Sequence, residues 1–112
     1  MQDLKTLLET LEIPIAYDHF NTPTTPPFIA YRRYGQSNYS ADGIVYKKID
    51  NYYITLCTEY KDLELEQQLE TLLQNAEIFY NVESETYIDT EQMYEIIYNV
   101  NIEGANLNAP SI

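Results

Sequence analysis

"YYITLCTEYKDLELEQQLETLLQNA", Tyr52–Ala76, changes its hydrophobic period part-way along. In its first seven residues Tyr52, Ile54 and Leu56 alternate with Tyr53, Thr55 and Cys57. That is the period of a strand with one buried face. From Leu65 the period lengthens, and Leu65, Leu69, Leu72, Leu73 and Ala76 share one side of a helix. Asp62 stands at the N-cap position, and Glu64 and Glu66 occupy the first turn, where the helix dipole favours acids. Leu69 and Leu72 lie mid-stripe and ought to be buried. A strand followed at once by an amphipathic helix, each with one apolar side, is a building block of a two-layer α+β domain.

The same reading extends outward in both directions. Leu4, Leu7, Leu8 and Leu11 fall at i, i+3, i+4 and i+7, which predicts a short first helix. Pro14 is expected to end it, because the residue before a proline avoids the helical region. Residues 20–27, "FNTPTTPP", predict an extended, proline-stiffened arm. "FIAYRRY" (28–34) is a strand, "GQSNYSADG" (35–43) a polar and mobile loop, and "IVYKKI" (44–49) a second strand, with a turn or bulge at Asp50-Asn51. Beyond the long helix, "IFYNVE" (78–83) and the short "TYI" (86–88) are strands. Tyr94, Ile96, Tyr98, Val100 and Ile102 give the last strand a defined inner face. The order is α-β-β-β-α-β-β. It predicts a mostly antiparallel sheet of four to five strands with two helices packed on one face, over residues 1–102, followed by a mobile tail, 103–112.

Composition bounds what such a domain does. The 112 residues are 45% apolar, enough for one folded domain. The amphipathic, acid-bearing N-terminus lacks the basic-then-apolar pattern of a signal peptide, and there is no apolar run of transmembrane length. Net charge is −12, unevenly spread. All six bases lie in residues 1–61 beside seven acids, whereas residues 62–112 hold eleven acids and no base. A polyanion-binding protein does not have this layout. Two readings remain: a charge bias for solubility, or a molecule with one acidic side and one near-neutral side that stacks head to tail with copies of itself. Twelve tyrosines against three phenylalanines serve as strand formers. So many in a domain this size favour a half-wet sheet face that meets protein, since tyrosine combines apolar area with a polar end.

Chemical motifs are missing. His19 is the lone histidine, on a surface loop beside Asp18. Cys57 is mid-strand with no basic neighbour to activate it and reads as a buried structural thiol. No Cys/His cluster suits zinc, and Glu83, Glu85, Asp89 and Glu91 lack the spacing of a calcium loop. With only three glycines there is no phosphate cradle. The expectation is a protein without catalytic residues, metal or cofactor. Arg32 and Arg33, and likewise Lys47 and Lys48, are adjacent in strands and point to opposite faces, which leaves no basic patch for nucleic acid.

The Pro-Pro-Phe-Ile-Ala-Tyr strand from Pro26, the Ala-Asp-Gly before Tyr46-Lys47-Lys48, the Asp-Leu-Glu-Leu-Glu opening at Asp62, and the closing Glu85-Thr86-Tyr87-Ile88 to Tyr94-Glu95-Ile96-Ile97-Tyr98 hairpin together cover roughly residues 11–100. In these points the chain resembles small proteins from the tail-gene region of long-tailed phages and prophages of Gram-positive bacteria, of the tail-completion, tail-terminator and head-to-tail joining kind. The resemblance implies a virion structural protein, made in the host bacterial cytoplasm. It would form a homo-oligomeric ring, commonly hexameric, that meets tail-tube and head-connector proteins, with no membrane and no specific nucleic-acid contact. On that reading the arm and the 35–43 loop reach beyond the subunit, and Arg32, Arg33, Tyr39, Lys47 and Lys48 are the candidate interface residues. An acidic lumen would repel passing DNA. The alternative is a small acidic phage protein that mimics DNA in a host protein's basic groove.

Overall fold

A computed structural model describes the backbone of residues 3–41 and 44–103, and the side chains of these residues apart from 38–47. In chain order the elements are α1 (Leu4–Glu9), β1 (Ile15–Tyr17), β2 (Phe28–Ala41), β3 (Ile44–Thr58), α2 (Leu63–Asn75), β4 (Phe79–Ile88) and β5 (Met93–Glu103). They form an α+β domain with one mixed sheet in the order β1-β2-β3-β5-β4. Every neighbouring pair is antiparallel except β1 and β2.

The strands differ from the expected ones in four places. Residues 15–17 form an extra edge strand, parallel to residues 29–31. It is bracketed by Ile29 N–H donating to Pro14 O (2.9 Å) and Asp18 N–H donating to Tyr31 O (2.6 Å). Residues 44–49 and 52–58 are one strand: Asp50 and Asn51 are paired on both sides, with Gln36 and Gly35 of β2 and with Ile102 and Asn101 of β5. Residues 35–41 belong to β2, not to a loop, and pair with β3 as far as Ala41↔Ile44; Asp42 and Gly43 lie outside the described residues. Residues 79–88 are a single strand with a register shift between Val82 and Ser84. The common reason is that strand partners supply hydrogen bonds to polar and glycine-containing segments that local propensity reads as turns. Glu103, expected to begin the tail, belongs to β5; the rest of the expected tail, residues 104–112, lies outside the described residues.

One continuous core holds the layers together. Leu4, Leu7 and Leu8 of α1 and Leu65, Leu69 and Leu73 of α2 close over Ile29, Ile54, Leu56, Ile96, Tyr98 and Val100. The helices also adjoin each other, along a groove that Leu11 and Leu72 both line. Leu72 is therefore half-buried, while Leu69 is fully covered. Tyr98 is the largest fully buried side chain, and its hydroxyl donates to Glu70 Oε2 (3.0 Å) on α2. Burial, then that bond, pushes its pKa up. Tyr80 of β4 also reaches Glu70, at 3.5 Å from Oε1. Lys61 ties the lower part of β4 to the start of α2: Nζ lies 2.8 Å from Glu85 Oε1 and 3.0 Å from Oε1 of the buried Glu66. Glu66 Oε2 is 2.9 Å from the same ammonium but poorly aligned, so it receives the charge and not a hydrogen bond.

Helix ends follow local chemistry. Asp3 caps α1 by accepting from Thr6 N–H (2.8 Å), and Asp62 caps α2 by accepting from Leu65 N–H (3.1 Å). Pro14 does not end α1. The helix stops at Thr10, whose hydroxyl donates to Leu7 O (2.7 Å), and Glu12 at φ 61° turns the chain before the proline is reached. At the end of α2, Glu77 N–H donates to Gln74 O (3.0 Å) and Ile78 N–H to Leu73 O (2.9 Å), a Schellman closure with Ile78 buried beneath it. Glu77 holds the left-handed position at φ 60°.

Leu69→Ala is expected to cost about 2–5 kcal/mol. Leu72→Ala, which removes a side chain already half in water, is expected to cost roughly 1 kcal/mol. Urea denaturation of the two variants checks the ranking. Glu77→Gly is expected to raise stability by about 1 kcal/mol, because glycine carries no side-chain penalty at that backbone angle; a rise in thermal midpoint is the readout.

Candidate assembly surface

Both helices contribute to the core on one side of the sheet, and the opposite side has a different make-up. Strand alternation there presents Ala30, Arg32, Tyr53, Thr55, Ile97, Asn99 and Asn101. Tyr34 continues the alternation of Ala30 and Arg32 onto the same side, just before the register shift to Gly35, and stacks on Tyr53 with ring centres 4.2 Å apart. Its hydroxyl donates to Asn99 Oδ1 (3.1 Å), and Asn99 Nδ2 donates to Glu83 Oε1 (3.0 Å). A second row runs from Ser37 to Asn51 and Asn101: Asn51 Nδ2 donates to Ser37 Oγ (3.1 Å), and Asn101 Nδ2 to Asn51 Oδ1 (2.7 Å). These side chains link β2, β3, β5 and β4 across the face. A sheet side wet enough for amides and tyrosines has its polar atoms satisfied without a covering layer.

Residues 18–27 do not reach away from the domain. They carry the chain from the end of β1 back to the start of β2, and along the way they wall a cleft over the lower part of this face. Phe20 packs edge-on against Phe28, ring centres 5.2 Å apart. The cleft, of about 490 Å³, has Phe20, Phe28, Ala30, Cys57 and Met93 in its apolar lining, with Asp18, His19, Glu91 and Glu95 as its titratable polar groups beside three threonines. A second cleft of about 360 Å³ continues it along the face, sharing Asp18, Ala30 and Thr55 and adding Arg32, Tyr53, Glu83 and Ile97. The arm is thus a strap that shapes a groove.

This groove brings the lone histidine and the lone cysteine into one cleft. His19 Nδ1 lies 2.9 Å from Asp18 Oδ2, a pairing that adjacency in sequence gave no reason to expect. The thiol, however, is tuned away from reactivity. Burial, then the carboxylates of Glu95 and Glu91, push Cys57 up to about 12, whereas a nucleophilic thiol needs a lowered pKa. The buried, structural role expected of Cys57 matches its 4% exposure. Among the described residues no group of His, Cys, Asp and Glu is arranged to hold a metal ion, and no helix is long and apolar enough to cross a membrane.

The five candidate interface residues are dispersed. Arg32 lies on the groove side, 5.6 Å from the centre of the Tyr53 ring and 3.9 Å from Asp18 Oδ1. Arg33 points to the other side, where Nη1 sits 3.4 Å from Asp50 Oδ1. Each arginine already has an acid in its own chain. Lys48 is exposed, and the side chains of Tyr39 and Lys47 lie outside the described residues; their backbones pair with one another in the β2–β3 ribbon. Sequence reasoning met Asp18, Glu83 and Glu91 separately but not their convergence with Glu95 on one groove, because β4, β5, the turn between them and the β1–β2 connection bring these acids together. No family model and no curated protein matches this chain.

At pH 8 a thiol with a pKa near 12 is thiolate in only about one molecule in 10⁴. Cys57 is expected to resist Ellman's reagent in the folded protein and to react within seconds in urea. Fast labelling of the native protein would show that the strap does not shield it.

Proposed function

We propose that this chain is a non-enzymatic structural subunit that associates with copies of itself, in the role of a phage tail-completion, tail-terminator or head-to-tail joining protein. The observation that carries the self-association is the β2–β3 ribbon. Among the described residues, β3 pairs with β5 from Ile49 onward, and β1 pairs with β2 at residues 29–31. Residues 38–41 and 44–48 therefore have no strand neighbour except each other among the described residues. A two-stranded ribbon by itself is marginal in water, and a ring subunit with such an extension orders it against its neighbour.

The sheet supports the same reading. Its outer side is polar and tyrosine-bearing, which suits a protein–protein surface. Its far edge, β4, exposes Phe79, Val82 and Tyr87. The specific role, at the junction of tail and head with a ring lumen that repels DNA, comes from the sequence resemblance. Tail-tube and head-connector proteins are its partners, and the virion is its location.

The test is assembly in a phage lacking the gene. Electron microscopy is expected to show heads and tails that accumulate unjoined, or tails of irregular length, and purified protein is expected to restore joined particles. Normal infectious particles made without the protein would overturn the proposal.

A further inference from the structure

We propose that the β2–β3 ribbon of one copy docks, by its Lys47–Lys48 segment, into the strap-walled acidic groove of the next copy. The inference rests on the self-association proposed above and names the two surfaces that meet.

The groove has the chemistry of a lysine receptor. Its floor is apolar, from Phe28, Ala30, Cys57 and Met93, and carboxylates stand around it at Glu91 and Glu95 at one end and Asp18 and Glu83 toward the other. Lysine lays a four-carbon stem along apolar surface and keeps its ammonium at carboxylates or water. Glu95 and Glu91 lie close enough to the floor to act, after burial, in raising the Cys57 thiol. Arg32 offsets one of these acids, since it already lies beside Asp18.

The ribbon has the complementary make-up. "IVYKKI", residues 44–49, is apolar but for two adjacent lysines. Arg32 and Arg33 have acids in their own chain, whereas Lys48 is exposed and lies where β3 has left β5.

Within one copy the two cannot meet. Lys48 is five residues from Tyr53 at the near end of the groove and nine from Cys57 at the far end, about 17 and 30 Å at ~3.3 Å per residue, beyond the reach of a lysine side chain. The contact is therefore between copies and joins two different surfaces. Such a heterologous contact closes into a ring or runs on as a filament. Each subunit uses its ribbon once and its groove once.

Charge exchange tests the pairing. Lys47→Glu/Lys48→Glu reverses the ribbon, and Glu83→Lys/Glu91→Lys reverses the groove at exposed positions. By sedimentation velocity, each double variant alone is expected to lose at least tenfold in self-association while circular dichroism stays native. An equimolar mixture of the two is expected to reassemble, because each reversed surface then finds its opposite. The quadruple variant is expected to assemble by itself. As a measurement independent of the variants, carbodiimide coupling of mixed ¹⁴N- and ¹⁵N-labelled wild-type protein is expected to join Lys47 or Lys48 to Glu91 or Glu95 between copies. If the wild type assembles but both double variants assemble equally well, or coupling between copies avoids these residues, the docking proposal is wrong and self-association stands. A wild type that remains monomeric at every concentration overturns both.

Discussion

Two helices have apolar stripes enough to bury the centre of one side of the sheet, over β2, β3 and β5, and the rest of the molecule follows from that constraint. Leu8, Leu69 and Leu73 meet Ile54, Leu56, Ile96 and Val100 with essentially no exposure. Each strand must therefore alternate, because a slip by one residue would put its apolar set into water. The largest side chain in this layer, Tyr98, keeps its hydroxyl satisfied by reaching Glu70 at the helix–sheet boundary. A buried tyrosine without that acceptor would lose a hydrogen bond to water and gain none in return.

With the inner side spent on the core, the outer side is built to stand in water. Asparagine, serine and tyrosine side chains bond to one another across β2, β3 and β5, and Asn99 extends the network to Glu83 of β4, which braces the sheet laterally. The edge strand β4 illustrates the cost of a single-sided core. Eight of its ten residues are exposed, and it is held by its ladder to β5, by Tyr80 near Glu70, and by the Glu85 contact with Lys61. Glutamates and a register irregularity on this strand also discourage indiscriminate edge pairing.

The strap and the ribbon occupy opposite ends of the same long hairpin. At one end residues 18–27 return across the sheet and deepen it into a groove. At the other, β2 and β3 pair with each other as far as Ala41↔Ile44, beyond the last described pair of β3 with β5. On the proposed assembly, a subunit with the groove as receptor at one end and the ribbon at the other is polar in the geometric sense. Polarity of this kind is what head-to-tail assembly requires, whereas a two-fold dimer would need a self-complementary patch.

The sequence by itself determined the two helices, the inner faces of β3 and β5, the capping role of Asp62 and the burial of Cys57. All of these are local: they depend on period, on a cap within three residues, or on the absence of activating neighbours. The tertiary structure decided the rest. β1 is three residues long and exists because Ile29 and Tyr31 accept it as a neighbour. Asp50-Asn51 reads as a turn in isolation, but it has strand partners on both sides. The 35–41 segment is too polar for strand propensity alone, yet β3 lies along it. The "FNTPTTPP" arm reads from its prolines as stiff and extended, whereas the chain bends at residues 21–22 and 26–27 and runs beside Phe28 and Cys57, because proline fixes a backbone angle and says nothing of where the chain then lies. The groove needed Asp18, Glu83, Glu91 and Glu95, spread over more than seventy residues, to converge. Convergence over such separations is set by sheet order and register, which the alternation of a single strand does not encode.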